Sequence, residues 1–434
     1  MSEDEPNVTK HLSGRGLLPS LLGRYPRPPL PGTGTGRGKQ AGGGAISFVL
    51  VVYATSRLFY LLAGALLAGL LPAGGFYRLT PDVPLGTLNI WAHWDGAWYS
   101  QIATEGYATH APASTAFFPL YPLLVRSFAG VFGGPLSLGA TSSWGVLVSL
   151  AVLPLALFFV YRIAEDGFGE QVARATTLAL AFFPTTFFLN CAYTESLFLA
   201  LSAGSLWACR VRKDLLLACV LAALAGATRN VGVFLVAPLF IEWLRDVRYY
   251  RWRGVYLALA PSGLIVYAGY LWWRFGDPLL FYTDQGKWGR QAAGPLATAG
   301  RVWEAAVEGS ARLLDPRLWA DPSLGNLANH LEEANNLYNL MFFVFAGVVL
   351  IAGLWELPPD LSVYTFLLVA PVTLFGPPQS PLMGTPRYVL VAFPLFIMLG
   401  LLSKNRPAFV GWLVFSTASS LVLCALFVSW RFVA

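Results

Sequence analysis

Residues 46–71 run almost wholly apolar for long enough to cross a hydrocarbon layer of about 30 Å. Ten more apolar runs follow, at 138–161, 175–189, 193–207, 215–227, 231–243, 254–273, 337–354, 361–375, 388–402 and 409–430. Apolar residues are 56% of the 434 and charged ones only 12%, too little polar surface to cover a soluble globule. The pattern predicts an all-α, polytopic transmembrane bundle of about eleven spans, with no internal repeat.

Residues 1–45 are Gly- and Pro-rich and hold Lys10, Arg15, Arg24, Arg27, Arg37 and Lys39, without the apolar centre of a signal peptide. They read as a disordered, basic, cytoplasmic tail, and 46–434 as one transmembrane domain. Two sections break the apolar pattern, about 72–137 and 274–336, and read as large outer loops, the first bearing interfacial helices. Short cytoplasmic loops collect Lys and Arg. With the N-terminus inside, Arg162/Arg174, Arg210/Arg212/Lys213, Arg245/Arg248/Arg251/Arg253 and Lys404/Arg406 all fall inside on one condition. Residues 215–243 must form a hairpin of two short helices turning at Thr228, Arg229 and Asn230. The acidic inner loop from Glu356 to Asp360 is an exception to the rule.

The net charge of +6 sits in short clusters between apolar runs rather than along one face, which argues against nucleic acid. Cys191, Cys209, Cys219 and Cys424 fall in or at the ends of apolar runs with no metal-binding spacing, and the four histidines are dispersed. The basic, Gly- and Ala-rich, Cys-poor composition points to a prokaryotic plasma membrane.

In the first loop, Asp95 stands in the run TrpAlaHisTrpAspGlyAlaTrpTyr at 91–99. Trp91, Trp94, Trp98 and Ile102 recur at helical spacing and predict an apolar stripe lying on the membrane interface. Asp95 then either caps a turn in an aromatic belt or, desolvated by its neighbours, accepts a proton from a hydroxyl. Glu195, near the outer end of an apolar run, is costly there unless paired or facing a wet cavity; it either caps a helix or lines a site. Arg229 and Arg387 are cations where the positive-inside rule disfavours them. They need partners, either nearby acids and lipid headgroups or a phosphate gripped bidentately. In the second loop, GlyAspProLeuLeuPheTyr at 276–282, with Asp277, precedes GlnGlyLysTrpGlyArg at 285–290. Aromatics interleaved with polar groups suit a sugar ring as well as a structural lid. No phosphate-cradling Gly-rich loop is present, which favours a lipid-carried donor over a soluble nucleotide sugar.

Taken together, in this order, HisTrpAspGlyAlaTrpTyr (93–99), IleAlaThrGluGlyTyr (102–107), AlaPhePheProLeuTyrPro (116–122), TyrThrGluSerLeuPhe (193–198), AlaThrArgAsnValGly (227–232), PheGlyAspProLeu (275–279) with Gln285 and TrpGlyArg (288–290), and ProArgTyr (386–388) with PhePro at Phe393 resemble the PIG-V type of mannosyltransferase. The resemblance implies a GT-C type enzyme that takes mannose from a polyprenyl phosphate carrier on the outer face and passes it to a glycolipid or lipid-linked acceptor. It places the essential acid at Asp95, as base in an inverting displacement, with Arg229, Arg290 or Arg387 stabilising the departing phosphate. The substrate-binding set expected around it is His93, Trp94, Tyr121, Tyr193, Glu195, Arg229, Asp277, Gln285, Arg290 and Arg387. Nothing requires a metal, although Asp95 and Glu195 with water are ligands enough for a weak Mg or Mn site. The competing readings are a transferase of another sugar or onto protein, and a membrane transporter or flippase, whose charges belong near the bilayer midplane.

Overall fold

The computed structural model describes residues 41–74, 88–107, 113–132, 136–321 and 323–433. The basic tail expected over 1–45 falls almost entirely outside these residues. In chain order, apart from one-turn segments, the helices are α1 (Ala41–Leu70), α2 (Asp95–Glu105), α3 (Leu120–Phe132), α4 (Leu138–Phe168), α5 (Glu170–Ala181), α6 (Glu195–Arg210), α7 (Leu215–Thr228), α8 (Val236–Arg245) and a mixed α and 3-10 stretch, α9 (Val247–Phe275). Then come the two-residue strand β1 (Gln291–Ala292), α10 (Pro295–Leu313), α11 (Leu324–Glu333), α12 (Asn335–Glu356), α13 (Pro359–Val369), the strand β2 (Phe375–Gly376), α14 (Thr385–Val391), α15 (Pro394–Leu401) and α16 (Arg406–Val428).

Every apolar run of the sequence is helical; among the described residues five are long apolar helices of membrane length, α1, α4, α9, α12 and α16, or six if α14 and α15, bent by 73°, count as one, and the other runs form shorter helices, so the expected count of eleven spans is not established. The physical reason lies in what surrounds each helix. The membrane-length windows of those five are only 17–50% buried, so lipid sets their length. Of the 16 residues of α6, by contrast, 14 are buried against protein, and a helix wrapped in protein need not match the bilayer. Large apolar side chains at Val51, Leu58, Leu62 and Leu66 on α1 stand exposed one or two turns apart, as a lipid-facing stripe does.

Helix breaks are held by specific contacts. Arg57 of α1 is 3% exposed and donates to Ala181 O at 2.9 Å, Thr186 O at 3.1 Å and Asn190 Oδ1 at 2.9 Å, satisfying carbonyls that the end of α5 leaves open. The expected hairpin over 215–243 is present: α7 ends at Thr228, and a 3-10 segment over Asn230–Leu235 leads into α8. Glycine makes it fit. A Cβ on Gly232 would lie 2.4 Å from Ala225 C, and one on Gly263 of α9 would lie 1.8 Å from Ala223 O.

The stripe predicted from Trp91 to Ile102 is not one continuous helical face, and both its ends are buried against protein. Trp94 adopts φ 54°, which breaks the register, and α2 starts only at Asp95. Trp91 precedes the break in a 3-10 turn and is fully buried, so close under Gly64 that a Cβ there would meet its ring at 2.3 Å. Trp98 stacks on Phe117 at 5.8 Å, and Ile102 is buried.

The two ends of α6 are both plugged by charge. At its far end Arg210, 8% exposed, meets Asp360 Oδ2 at 2.5 Å and Glu242 Oε1 at 3.3 Å, and Arg245 reaches the same Glu242 oxygen at 3.1 Å. The acidic loop that the positive-inside rule does not explain therefore supplies the counter-charge of a buried arginine. Breaking a buried pair by removing one partner leaves a charge uncompensated, at a cost of roughly 3–5 kcal/mol. Asp360→Ala is expected to lower the melting temperature in detergent sharply, and adding Arg210→Met to recover most of the loss. An Asp360→Ala protein as stable as wild type would mean that the pair is not needed to hold this end of the bundle.

Candidate active site

The opposite end of α6 opens beside a cavity of about 700 Å3 whose walls come from both long loops, the α7–α8 hairpin, α14 and the chain after α16. The loops are clasped over it. The Thr115 hydroxyl donates to the buried Asp284 carboxylate, Trp288 Nε1 donates to Ala113 O at 3.3 Å, and β1 pairs antiparallel with β2. After α16, Arg431 donates to Pro72 O at 3.0 Å and Asn329 Oδ1 at 3.0 Å, while Phe432 N donates to Glu332 Oε1 at 2.7 Å. This tether brings Phe432 into the cavity wall, its ring edge-on to Trp94 at 5.4 Å.

Among the described lining residues, the charged ones are Asp95, Arg229, Arg290 and Arg387. Asp95 sits in the first turn of α2, where the unpaired backbone N–H groups favour a negative charge. Arg387 Nη1 donates to Asp95 Oδ2 at 2.5 Å and its Nε to Glu195 Oε1 at 2.6 Å. Arg229 Nη1 donates to the same Glu195 oxygen at 2.8 Å. Glu195 is fully buried and stands behind the wall, so it holds the two arginines rather than meeting a ligand. The Tyr193 ring lies under the Arg387 guanidinium at 4.5 Å, and the Tyr388 ring under that of Arg229 at 5.1 Å. Gly384, at φ +88°, leaves space against the Arg290 guanidinium, 3.6 Å from where its Cβ would be. Among the described residues three guanidinium groups thus face two carboxylates, one positive charge in excess. The cation between Asp95 and Glu195 is Arg387 itself, standing where the sequence allows for a Mg or Mn ion, and no cluster of three metal-ligating side chains occurs among the described residues.

Of the expected residues, Asp95, Trp94, Arg229, Gln285, Arg290 and Arg387 line the cavity, and the other five do not. His93 is turned away by the kink at Trp94; its ring stacks on Trp430 at 3.6 Å between centroids, and Nδ1 lies 3.2 Å from Phe427 O. Tyr121 is fully buried and donates to Gly145 O at 2.7 Å, bracing α3 on α4. Tyr193 donates to His93 O at 3.0 Å and Glu195 lies behind its arginines, so both position rather than line. Asp277 caps its own turn by accepting from Leu279 N at 2.8 Å. The lining residues outside the expected set include Tyr388 and Phe432. Tyr388 adjoins Arg387 in the ProArgTyr motif; nothing in the sequence near Phe432 marks it.

Residues 46–251 match the family model for the mannosyltransferase (PIG-V). The resemblance is to the PIG-V mannosyltransferases. The matched PIG-V stretch contains Asp95, Glu195 and Arg229, whereas Arg290 and Arg387 lie beyond it. The chain is 29% identical to GPI mannosyltransferase 2 of Drosophila pseudoobscura pseudoobscura over 143 residues, which is 31% of this chain and only 30% of that relative's length. Among solved structures, ArnT from Cupriavidus metallidurans bound to undecaprenyl phosphate is similar with a TM-score of 0.39 and 14% identity, over 84% of this chain and 79% of that one. The Archaeoglobus fulgidus oligosaccharyltransferase in its apo form gives 0.40 and 11%, over 88% and 56%.

Burial pushes His93 down to about 4, below the ordinary value near 6.5, although its contact with the Phe427 carbonyl acts the other way. The fold therefore favours neutral imidazole. This stabilisation is complete above about pH 6.5 and is lost as pH falls toward 4, a change on the order of 3 kcal/mol. Wild-type protein is expected to lose thermal stability more steeply from pH 7 to 4.5 than His93→Phe. Parallel slopes would place His93 in water instead.

Proposed function

We propose that the cavity is the active site of a GT-C type membrane glycosyltransferase. It passes a sugar, mannose in the first instance, from a polyprenyl phosphate carrier to a hydroxyl of a glycolipid or lipid-linked acceptor. The observation that carries this reading is one carboxylate, Asp95, facing a wall of arginines with an unneutralised positive charge in a cavity lined by aromatics. An anionic carrier supplies the missing negative charge, and aromatic faces such as those of Trp98 and Trp288 suit the apolar side of a sugar ring. The curated relative's name, a GPI mannosyltransferase, supports mannose and a glycolipid acceptor.

In this mechanism the acceptor oxygen attacks the anomeric carbon from the face opposite the carrier. A new C–O bond forms as the bond to the phosphate oxygen breaks, the bonding pair leaves with the polyprenyl phosphate, and configuration inverts. Asp95 takes up the acceptor proton as that oxygen loses electron density. The ion pair with Arg387 holds the carboxylate in place, which restricts its reorientation. Arg387 is already bonded to two carboxylates and Arg229 to one, while Arg290 makes no ion pair among the described residues. Arg290 and Arg229 are therefore the groups with donors to spare for the leaving phosphate, where preorganised charge contributes most.

Membranes carrying wild type are expected to transfer label from radiolabelled polyprenyl-phosphate mannose into lipid. At equal protein level, Asp95→Asn should fall about a hundredfold or more. Arg290→Gln should raise the KM for the carrier and also lower kcat. Equal activity of wild type and Asp95→Asn would remove Asp95 from the chemistry, and no transfer by wild type would sink the donor assignment.

A further inference from the structure

The geometry points to α10 as a helix seated in the lipid of the cavity-side leaflet. Three properties of its sequence, at about 100° per residue, divide it into three faces. Thr298, Ala306 and Gly309 are buried, and a Cβ on Gly309 would come within 3.5 Å of Leu337, so this face packs on the start of α12. Arg301, Glu304, Glu308 and Arg312 form a second sector, tied by Arg312 to Glu308 at 3.4 Å and to Glu333 at 3.6 Å. Leu296, Trp303 and Val307 form the third, at 91%, 72% and 52% exposure, in line with Leu314 just beyond the helix. An exposed apolar sector separated by about a third of a turn from both the packed face and the charged one is what a helix shows when it lies in a membrane interface, its charges at headgroup level.

Its placement excludes a vertical course. Ala292, three residues before α10, lines the cavity, and the last turns of α10 reach the start of α12, whose Asn335 donates to Phe432 O at 3.3 Å beside that same cavity. Both ends of this helix, about 28 Å long at 1.5 Å per residue, therefore lie at the cavity end of the bundle. Lipid is the occupant because the third sector continues the surface already facing lipid: α12, on which α10 packs, exposes Met341, Val344, Val348 and Ile351 along its length. Trp303 suits that depth, since an indole carries both an apolar body and an N–H for the headgroups.

The test uses the full-length protein in phospholipid nanodiscs, carrying Trp303→Cys, Val307→Cys, Glu304→Cys or Glu308→Cys, each labelled with a nitroxide. The four native cysteines are buried, and unsubstituted protein controls for their labelling. At 303 and 307 collisions with oxygen are expected to exceed those with a nickel chelate severalfold, and at 304 and 308 the order to reverse. Because 303 and 307 report independently, misfolding of one variant leaves the other to decide. Equal access of the nickel chelate at all four positions would put the apolar face in water. Protection of 303 and 307 from both reagents would mean that protein, such as a second copy of this chain, covers the face. Either result overturns the proposal, and neither depends on the reaction the protein catalyses.

Discussion

One fully buried carboxylate, Glu195, organises the cavity without belonging to it. A lone charge at that depth is too costly to persist, so two arginines from distant parts of the chain must come to it. Arg229 arrives at the turn of the α7–α8 hairpin and Arg387 at the start of α14. Once fixed on one side by Glu195, Arg387 presents its other edge to Asp95 and so joins α2, α6 and α14 in a single chain of charge. Aromatic rings at Tyr193, Phe188, Phe198 and Tyr388 flank the guanidinium groups, keeping water from the pairs without competing for their hydrogen bonds.

The far end of α6 repeats the device with the signs exchanged. There the buried arginine, Arg210, is the central charge, and Asp360 and Glu242 are the arms. Between the two lies a helix rich in small residues, including Ala200, Ala203, Gly204 and Ala208, which lets α4 and α7 approach closely. Ion pairs at both ends and close packing between them fix α6 along its axis. That rigidity matters because the cavity wall is built from loops, which are otherwise the least constrained parts of a fold.

Much of this was legible in the sequence. Lipid imposes a length of apolar residues, so each long helix that faces it announced itself; helices buried in protein carry the same apolar signal at shorter length, and among the described residues five or six of the eleven runs form helices or helix pairs of membrane length. The cost of an acid at Glu195 and of cations at Arg229 and Arg387 was equally plain, and the three are partners. Side-chain direction was not. His93 and Asp95 are two residues apart, yet the positive φ at Trp94 sends one into the core and the other into the cavity. Tyr121 sits in a motif but braces two helices, and Phe432 reaches the site through a tether of Arg431 to Pro72 and Asn329 and of Phe432 N to Glu332, contacts between distant parts of the chain that no local pattern encodes.

The spacing of the partners of Glu195 along the chain bears on how the protein is made. Arg229 follows it by 34 residues and Arg387 by 192. Synthesis proceeds from the N-terminus, so Glu195 reaches the membrane when only the first of its two cations is within a short hairpin's reach. The Arg229 pair lets the α6–α7 contact neutralise it before α14 is made. In the folded protein Arg387 sits against Glu195 and its arginine, and Asp95 on its far side completes the balance. Chain order therefore makes Arg229 available to Glu195 before Arg387, and Phe432 of the cavity wall later than either.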